Sequence, residues 1–577
     1  MRDSLKQHLH DHVRALLEDA GVDAPVPDFA LETPKNPDHG DFACNAAMLL
    51  AQSLRRPPRQ IAESLAERLA TAGGPVARVE VAGPGFVNLW LGAGRWHALL
   101  REVLAAGPRY GHSEVGAGRR VQVEFVSANP TGPLTLGHGR QAILGDAIAN
   151  LLDATGHAVT REYYFNNGGR QMRMLGDSVK ARYLEQLGLA APPPPEALAD
   201  REGAWVDEVD GLRVAFPKDG YQGDYIGELA AGLRARHGDA LVGEPGEGVF
   251  RETAETQIFG EIRKTLSALG IEFDVYTNER DLYESGETDR VLADLDAAGL
   301  LFEKDGARWL RSTSFGLERD RVLIRSSGEP TYLLPDLAYH RQKFARGFDT
   351  VIDVQGADHK EQFPYVAAGV GALGCPAEKI ELVMNQFVTL TRGGEQVKQS
   401  TRKATYVTVD ELLEQVGCDV FRFFMVQRRA ESHLDFDLDL AEDTDWKKNP
   451  TYTVQYAHAR THAIERKARE RGVPLPDPES VDAAPLVLDE EIEILKKISE
   501  FPEIVERGSE TREPHHLCYY ARDLAGLWNP YQQDGVRHRI LSDDAALTSA
   551  RLGLTLGVRT VLAGALRLLG IQAPERM

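Results

Sequence analysis

An α/β protein of several domains is the fold class that the sequence predicts, and three observations support it. A chain of 577 residues exceeds what one hydrophobic core usually organises. Apolar segments such as residues 350–356 and 380–387 alternate with helical stretches from about residue 120 onward, which is typical of a parallel sheet. Helical patterns dominate beyond residue 440. The predicted domains are therefore residues 1–105, 118–435 and 436–577, with an insertion in the second domain at about 178–290.

The N-terminal domain is predicted to be a small α+β module. Leu5, Leu9 and Val13 recur at helical spacing with charged residues between them, so the chain begins with an amphipathic helix. Residues 76–83 and 85–91 read as two strands joined by a tight turn. Because no apolar run approaches the roughly 18 residues of a membrane span, we expect a cytoplasmic protein with no membrane partner.

Charge and cysteine content narrow the classes of partner. The formal charge of −21, from 66 basic and 87 acidic residues, argues against nucleic-acid binding over the whole surface. It leaves room for a basic face on one domain. The cysteines are far apart and form no Cys-x-x-Cys pair, so we expect reduced thiols and neither a disulfide framework nor a protein-bound metal. They are Cys44, Cys375, Cys418 and Cys518.

Residues 123–144 carry the strongest functional pattern, a predicted strand that runs through a loop rich in proline and glycine into a helix. Polar and apolar residues alternate over 122–125, which indicates a strand. A helix N-terminus presents unpaired N–H groups and the positive end of the helix dipole, so the first turn of this helix suits a phosphate. The residues of that turn are Gly137, His138 and Gly139.

A second segment, glycine-rich and basic, lies at residues 389–413. Its cations Lys398 and Arg402 precede a helix, and Thr408 with Glu411 fits a capping box at the start of that helix. A flexible basic loop opposite a phosphate site can close over a triphosphate and stabilise charge on departing pyrophosphate. Either segment alone is equally compatible with a solvated turn, so their combination carries the argument.

Together the two segments occur in the order found in class I aminoacyl-tRNA synthetases, whose paired motifs are called HIGH and KMSKS. The fuller resemblance is to arginyl-tRNA synthetases. Similar segments extend over nearly the whole chain, among them residues 34–47, 123–133, 328–349, 354–363 and 449–460. The resemblance implies a Rossmann-type catalytic domain between an N-terminal domain that binds the tRNA elbow and a C-terminal all-α helical-bundle domain that binds the anticodon.

The resemblance also implies a site for L-arginine. A guanidinium group is permanently charged and presents a planar fork of donors, so its pocket needs carboxylates and a flat wall. By the resemblance, Tyr332 and Asp336 hold the arginine side chain, and Glu124, Ser127 and Asn129 lie at its α-amino end. The four-residue spacing places Tyr332 and Asp336 on one helical face.

The resemblance assigns the rest of the site to ATP, with Mg²⁺ on its phosphates and no tightly bound cofactor. Thr135 stands where HIGH has its first histidine, and Thr401 stands where KMSKS has its second lysine, so Arg402 or Lys403 is left to supply that charge. Thr135, His138, Lys398 and Arg402 are the expected catalytic residues. The expected ATP-binding residues are Gly137, Gly139, Gly356, Asp358, His359, Lys398 and Ser400.

The implied reaction is the ligation of L-arginine to the terminal adenosine of tRNA(Arg) through an arginyl-adenylate. By analogy with the family, we expect a monomer that needs tRNA even for the activation step. Aromatic and basic side chains around the start of the C-terminal domain could stack on unpaired bases and bind phosphates. Weaker candidates for the tRNA elbow are Phe42 and Asn45. The expected tRNA-binding residues are Tyr452, Tyr456, Arg460 and Arg428.

Two alternatives stay open at the level of sequence. The altered HIGH and KMSKS residues are also compatible with a catalytically weak paralogue that binds tRNA or other partners. Another class I synthetase, such as a cysteinyl enzyme, is disfavoured because the cysteines suggest no zinc site and because Tyr332 and Asp336 are present.

Overall fold

The N-terminal module in the computed structural model is a four-stranded antiparallel sheet covered by helices. The model describes residues 2–34, 36–167, 169–199, 205–397 and 407–577. The predicted stripe of Leu5, Leu9 and Val13 is buried, and both predicted strands are present. The elements of this module are α1 (Arg2–Asp19), β1 (Leu31–Glu32), β2 (Phe42–Cys44), α2 (Ala46–Leu54), α3 (Pro58–Thr71), β3 (Val76–Ala82), β4 (Phe86–Leu91) and α4 (Ala93–Ala106). Its strands lie in the order β1-β2-β4-β3.

The central part of the chain contains the predicted parallel sheet. Its elements up to the last sheet strand are β5 (Arg120–Glu124), α5 (Leu136–Ala154), β6 (Ala158–Phe165), α6 (Gly169–Gln186), α7 (Pro195–Ala199), β7 (Glu208–Val209), β8 (Leu212–Arg213), α8 (Asp224–His237), α9 (Arg251–Ala268), β9 (Val275–Asn278), α10 (Glu279–Glu284), α11 (Glu287–Ala297), β10 (Leu301–Lys304), β11 (Ala307–Leu310), β12 (Arg321–Ile324), α12 (Leu333–Ala345), β13 (Thr350–Gly356), α13 (Phe363–Ala372) and β14 (Ile380–Asn385).

All neighbouring strands of the five-stranded sheet run parallel, in the order β14-β13-β5-β6-β9. The chain leaves β5 toward β6 on one side and returns on the other side with β13. The crevice between the carboxyl ends of β5 and β13 is therefore the topological switch point, where ligands bind in sheets of this kind. Glu124 ends β5 and Gly356 ends β13, so the fold brings two predicted site segments together.

The strand predicted at residues 122–125 is present as β5, and the structure buries both of its faces. Gln122 is fully buried and Glu124 is 5% exposed. A central strand of a parallel sheet is covered by helices on both sides, so alternating polarity does not mark a solvent face there. The polar residues of β5 pair with buried groups instead, as Gln122 Nε2 donates to Glu162 Oε2 at 2.8 Å.

The segment between β6 and β9 is mainly helical, with α6 packed against α8 and α9. A run of four prolines lies in this segment at residues 192–195. Pro195 begins the short helix α7, a position that proline tolerates because the first helical N–H has no partner within the helix.

Helices dominate the C-terminal part, as predicted, and pack back onto the catalytic core. Before most of them comes a small sheet of three strands, β15 (Val388–Arg392), β16 (Glu395–Gln396) and β17 (Leu434–Asp437), in the order β16-β15-β17. No helix of the described ranges is long and apolar enough to cross a bilayer. All four cysteines are free thiols. The remaining elements are α14 (Val409–Val416), α15 (Cys418–Val426), α16 (Leu438–Glu442), α17 (Pro450–Glu470), α18 (Asp489–Ser499), α19 (Phe501–Thr511), α20 (His515–Gln533) and α21 (Ala545–Leu568).

Candidate active site

A strained turn after β5 brings two predicted arginine-site residues into contact. Val126 and Ser127 have φ values of 69° and 40°, a left-handed conformation that residues with side chains seldom adopt. The turn returns the Ser127 hydroxyl to the strand end, where it donates to Glu124 Oε1 at 2.8 Å. The Tyr164 N–H donates to Ser127 Oγ at 3.1 Å and holds the hydroxyl in place.

A buried chain of charges lies behind Glu124. Lys343 Nζ donates to Glu124 Oε2 at 2.5 Å and to Asp353 Oδ1 at 2.7 Å. His340 Nε2 lies 2.7 Å from Asp353 Oδ2, and its Nδ1 donates to the Asp336 carbonyl at 2.8 Å. Burial alone would raise the pKa of Asp353, but Lys343 and His340 outweigh it and hold that pKa well below its ordinary value.

Two further carboxyl groups, those of Asp336 and Glu279, are close to Glu124. Burial raises the pKa of Asp336 to about 7, and the neighbouring Glu124 and Glu279 add to that rise. Burial also raises the pKa of Glu279, which is 5% exposed and accepts from Tyr164 OH at 3.0 Å. Neither Asp336 nor Glu279 forms an ion pair with any described residue. Two carboxyl groups with raised pKa values, one buried and one half-buried, that form no ion pair with a described residue are an environment that a guanidinium group would complete.

A cavity of about 880 Å³ opens beside these carboxyl groups. The residues that line this cavity include Glu279 and two predicted arginine-site residues, Asn129 and Tyr332. They also include Thr135 and His138, which we predicted to lie at the ATP phosphates. Tyr332 precedes α12 with 55% of its surface exposed, so one ring face is available as a flat wall. The Asn129 amide donates to Gln171 Oε1 and is already engaged within the cavity wall.

The start of α5 has the geometry expected of a phosphate site. The Thr135 N–H donates to His138 Nδ1 at 3.3 Å, so a neutral His138 ring carries its proton on Nε2. A Cβ on Gly137 would meet nothing closer than Thr135 Oγ1 at 3.8 Å, which leaves the approach to the backbone open. Gly139 does not fit the ATP role that we predicted: its N–H donates to the Thr135 carbonyl at 2.9 Å, and a Cβ there would lie 2.7 Å from Phe421. Gly139 is a packing residue.

The two motif segments are joined directly. Thr135 forms an isolated antiparallel bridge with Thr408, and the Val409 N–H donates to the Leu134 carbonyl at 3.0 Å. The predicted capping box is present, because Thr408 N–H donates to Glu411 Oε2 at 2.7 Å and Glu411 N–H donates to Thr408 Oγ1 at 3.1 Å. The far end of the basic loop is therefore attached beside the phosphate site. Lys398, Ser400 and Arg402 themselves lie outside the described residues.

The predicted adenosine-side residues follow β13 at the switch point. Gly356 ends that strand, and a short helical turn at Ala357–His359 follows. His359 is exposed on this turn, and the side chain of Asp358 lies outside the described part of the structure.

The predicted tRNA-binding residues occupy different environments. Tyr456 is stacked on Trp446 with ring centroids 4.2 Å apart, Arg460 Nε donates to Gln532 Oε1 at 3.2 Å, and Arg428 is exposed. Tyr452 is half-buried against the core.

The two elbow candidates lie in the N-terminal module. Phe42 is 6% exposed and lines a second cavity of about 470 Å³, and Asn45 Oδ1 accepts from the Ala30 N–H at 2.8 Å. Their contact with the tRNA elbow stays a prediction.

Sequence reasoning missed several residues of the site. On α12, Asp336, His340 and Lys343 recur at helical spacing, and this pattern could have placed His340 and Lys343 on the same face as the predicted Asp336. Glu279 has no comparable local signal, because the fold brings it from another helix.

Comparison with known proteins agrees with this geometry. Family models match residues 5–91 to the arginyl tRNA synthetase N terminal domain, residues 99–197 to the catalytic domain of class I (R) tRNA synthetases, and residues 454–577 to the DALR anticodon binding domain. Fold and site thus define a class I aminoacyl-tRNA synthetase.

Similar chains make the family more specific. The arginine–tRNA ligase of Desulfotalea psychrophila is 47% identical over 95% of both chains, and that of Salinibacter ruber is 46% identical over 99% of this chain and 100% of its own. The solved Thermus thermophilus arginyl-tRNA synthetase superimposes with a TM-score of 0.72 at 26% identity, covering 99% of this chain and 100% of its own. The chain belongs to the arginyl-tRNA synthetase family, the arginine–tRNA ligases. Membership in this family excludes the cysteinyl alternative.

Proposed function

We propose that this chain activates L-arginine with ATP and transfers the arginyl group to the terminal adenosine of tRNA(Arg). The observation that carries the proposal is a pair of carboxyl groups with raised pKa values, the half-buried Asp336 and the buried Glu279 that lines the cavity, which form no ion pair with any described residue. Asp336 accepts from Gln362 Nε2 at 2.5 Å and Glu279 accepts from Tyr164 OH at 3.0 Å, so both have a neutral donor but no cation. A guanidinium group supplies donors and a charge to both.

The arginine is held at two ends. Asp336 and Glu279 bind the guanidinium group, and Tyr332 provides the flat wall. Glu124 accepts from the α-amino group, with Ser127 and Asn129 beside it. This leaves the arginine carboxylate free to attack the α-phosphate of ATP, a reaction that depends on positioning and on charge stabilisation rather than on a protein nucleophile.

The ATP phosphates lie at the start of α5. His138 Nε2–H and the backbone around Gly137 donate to phosphate oxygens, and Thr135 supports the imidazole through its N–H. ATP enters with its own Mg²⁺ as part of the substrate. Gly356, Asp358 and His359 take the adenosine side. Lys398, Ser400 and Arg402 close over the triphosphate.

The two flanking domains bind tRNA(Arg). The proposal gives residues 1–105 the tRNA elbow and residues 436–577 the anticodon, supported by the family models that match within them. The candidates for contacts to the tRNA remain the exposed Arg428, the half-buried Arg460, and Tyr456, which is stacked on Trp446. Tyr452 is a further candidate in the same helix as Tyr456. Trp446 stacks on one face of the Tyr456 ring and holds the ring in place. Single-stranded bases stack on aromatic side chains of this kind.

We further propose a monomer that works in the cytoplasm, where tRNA is charged. The activation step requires tRNA, and equal ATP–pyrophosphate exchange with and without tRNA would contradict this part of the proposal.

The test of the pocket is Glu279→Gln, with Glu284→Gln as the matched control on the same helix. Charge-assisted hydrogen bonds contribute about 1.5–3 kcal/mol, so Glu279→Gln is expected to raise KM for arginine about 10- to 100-fold with KM for ATP unchanged. Glu284 is exposed on the same helix α10, so the control should leave both constants unchanged. Steady-state aminoacylation of tRNA(Arg) measures both constants.

A panel of amino acids in tRNA-dependent pyrophosphate exchange completes the test. Preference for any amino acid other than arginine would contradict the pocket. Absence of aminoacylation by the folded wild-type chain would instead favour the catalytically weak paralogue.

A further inference from the structure

Three carboxylates occupy adjacent positions on the three central strands of the sheet. In the strand register Glu124 of β5 is paired with Asp353 of β13 on one side and with Glu162 of β6 on the other. Like charges directly opposite each other on neighbouring strands repel. All three side chains are nearly or fully buried, so water does not screen them. The arrangement therefore requires cations placed between the strands.

Two separate cations meet this requirement. Lys343 is 0% exposed and lies between Glu124 and Asp353, within 2.5 Å of the first and 2.7 Å of the second. Arg346 lies 2.8 Å from Glu162, which also accepts from Tyr339 OH at 3.0 Å. Glu124 contacts Ser127 of the predicted arginine site, whereas the partners of Glu162 include Arg346, Tyr339 and Thr277.

His340 anchors this arrangement to the first turn of α12. Its Nδ1 faces the Asp336 carbonyl and its Nε2 faces Asp353 Oδ2, so the ring is held between two acceptors. With Asp353 and Lys343 it forms a connected chain that ends at Glu124. Every member has a partner at hydrogen-bond distance, which is the condition for a buried ionic network to hold one geometry.

We infer that Lys343, anchored by Asp353 and His340, is a positioning residue that aims the Glu124 carboxylate at the α-amino group of the bound arginine. One oxygen of Glu124 is held by Lys343 and the other by Ser127, so the carboxylate plane cannot rotate. The same helix carries Asp336, so α12 sets both ends of the arginine at once: Asp336 directly, and Lys343 through Glu124. The inference rests on the proposed role of Glu124.

The experiment compares arginine with 5-guanidinopentanoate, which is arginine without its α-amino group. KM for arginine and the inhibition constant of the analogue are measured in the same aminoacylation assay. The inhibition constant of the analogue divided by KM for arginine is the preference for arginine. This ratio reports the contribution of the α-amino contact, because a change at the guanidinium end alters both constants equally. Lys343→Met is expected to lower the preference for arginine at least about tenfold, because a charge-assisted hydrogen bond loses its geometry. The inhibition constant of the analogue should stay unchanged.

Asp353→Asn provides a second, isosteric variant in case Lys343→Met does not fold. It keeps Lys343 on Glu124 but removes the charge that anchors Lys343, so a smaller loss of the preference is expected. Glu162→Gln is the matched control, since it removes a buried carboxylate at the same level of the sheet. It should lower thermal stability and leave the preference for arginine unchanged. Circular dichroism establishes that each variant is folded.

The outcomes separate the inference from the proposal on which it rests. If folded Lys343→Met and Asp353→Asn both keep the wild-type preference while Glu124→Gln loses it, Lys343 has no positioning role and Glu124 keeps its own. If Glu124→Gln also keeps the preference, the assignment of Glu124 to the α-amino group fails, and the inference fails with it. Loss of the preference in Glu162→Gln would show a general effect of sheet charge and would likewise overturn the inference.

Discussion

Asp336 and Glu279 are carboxyl groups that the fold shields from water to different degrees, since Asp336 is half-buried and Glu279 is buried. Burial raises the pKa of both, and in Asp336 the value reaches about 7. Because the folded pKa of Asp336 lies above the unfolded value of 3.8, its ionisation opposes folding, and the unfolding free energy without arginine falls as pH rises from 3.8 to about 7. A bound guanidinium group reverses this cost by pairing with the ionised form.

The affinity for arginine is therefore expected to increase with pH up to the pKa of Asp336. Below that pKa the guanidinium group must displace a proton, so KM for arginine should fall by up to about tenfold per pH unit and level off above it. KM measured between about pH 6 and about pH 8 tests this, with KM for ATP as the internal control. An arginine profile as flat as the ATP profile would contradict the role of Asp336.

At the scale of elements, α5 uses two glycines of one turn for different purposes. Gly137 leaves the space above the backbone open, with Thr135 Oγ1 at 3.8 Å as the nearest contact of an added Cβ. Gly139 allows Phe421 and Val409 to pack against the helix, where an added Cβ would lie 2.7 and 2.9 Å from them. The face of the turn with Gly137 is the one that we propose to contact ATP, and the face with Gly139 packs against the core.

Alanine at each position should separate these purposes. Gly139→Ala overpacks the core and is expected to cost about 1–3 kcal/mol of unfolding free energy, visible as a lower melting temperature. Gly137→Ala should leave the melting temperature nearly unchanged and raise KM for ATP, because a methyl group then blocks the approach of a phosphate. Equal melting temperatures for the two variants would contradict the assignment of Gly139 to packing.

At the scale of the whole molecule, one buried arginine connects the catalytic core to the last helix. Arg422 Nε donates to the Leu569 carbonyl just beyond α21 at 2.9 Å, and its Nη1 donates to the Leu269 carbonyl at 2.8 Å. Its Nη2 pairs with Asp146 on α5, the helix that begins at the phosphate site. These contacts attach the C-terminal helices to α5, the helix whose start we propose to bind ATP.

Replacing this arginine should destabilise the whole chain. Arg422→Met leaves Asp146 buried without its main partner, and breaking a buried ion pair in this way costs about 3–5 kcal/mol. Arg576→Met, at the exposed C-terminus, is the control and should have no effect. Thermal unfolding followed by circular dichroism measures both. An unchanged melting temperature for Arg422→Met would show that the junction does not depend on this residue.

Local signals explain why much of the fold was predictable. The strand at 350–356 was predicted with the bounds that the structure has, and the capping box of Thr408 and Glu411 forms as expected. Both depend on neighbours along the chain: strand periodicity in the first case and a three-residue hydrogen-bond cycle in the second. The alternation at Gln122 and Glu124 predicted a strand that is present, whereas the covering of both of its faces is a property of the assembled sheet.

The sequence by itself determined the order of domains, the strand–loop–helix around Gly137 and His138, and the resemblance that named Tyr332 and Asp336. Only the tertiary structure decided that Glu279 joins Asp336, and that Lys343 stands between two carboxylates. Caps, turns and periodicity are set by residues a few positions apart, so a sequence displays them. Burial and ion pairing depend on which distant segments meet, and pKa values follow from them, so they exist only once the sheet and its helices have assembled.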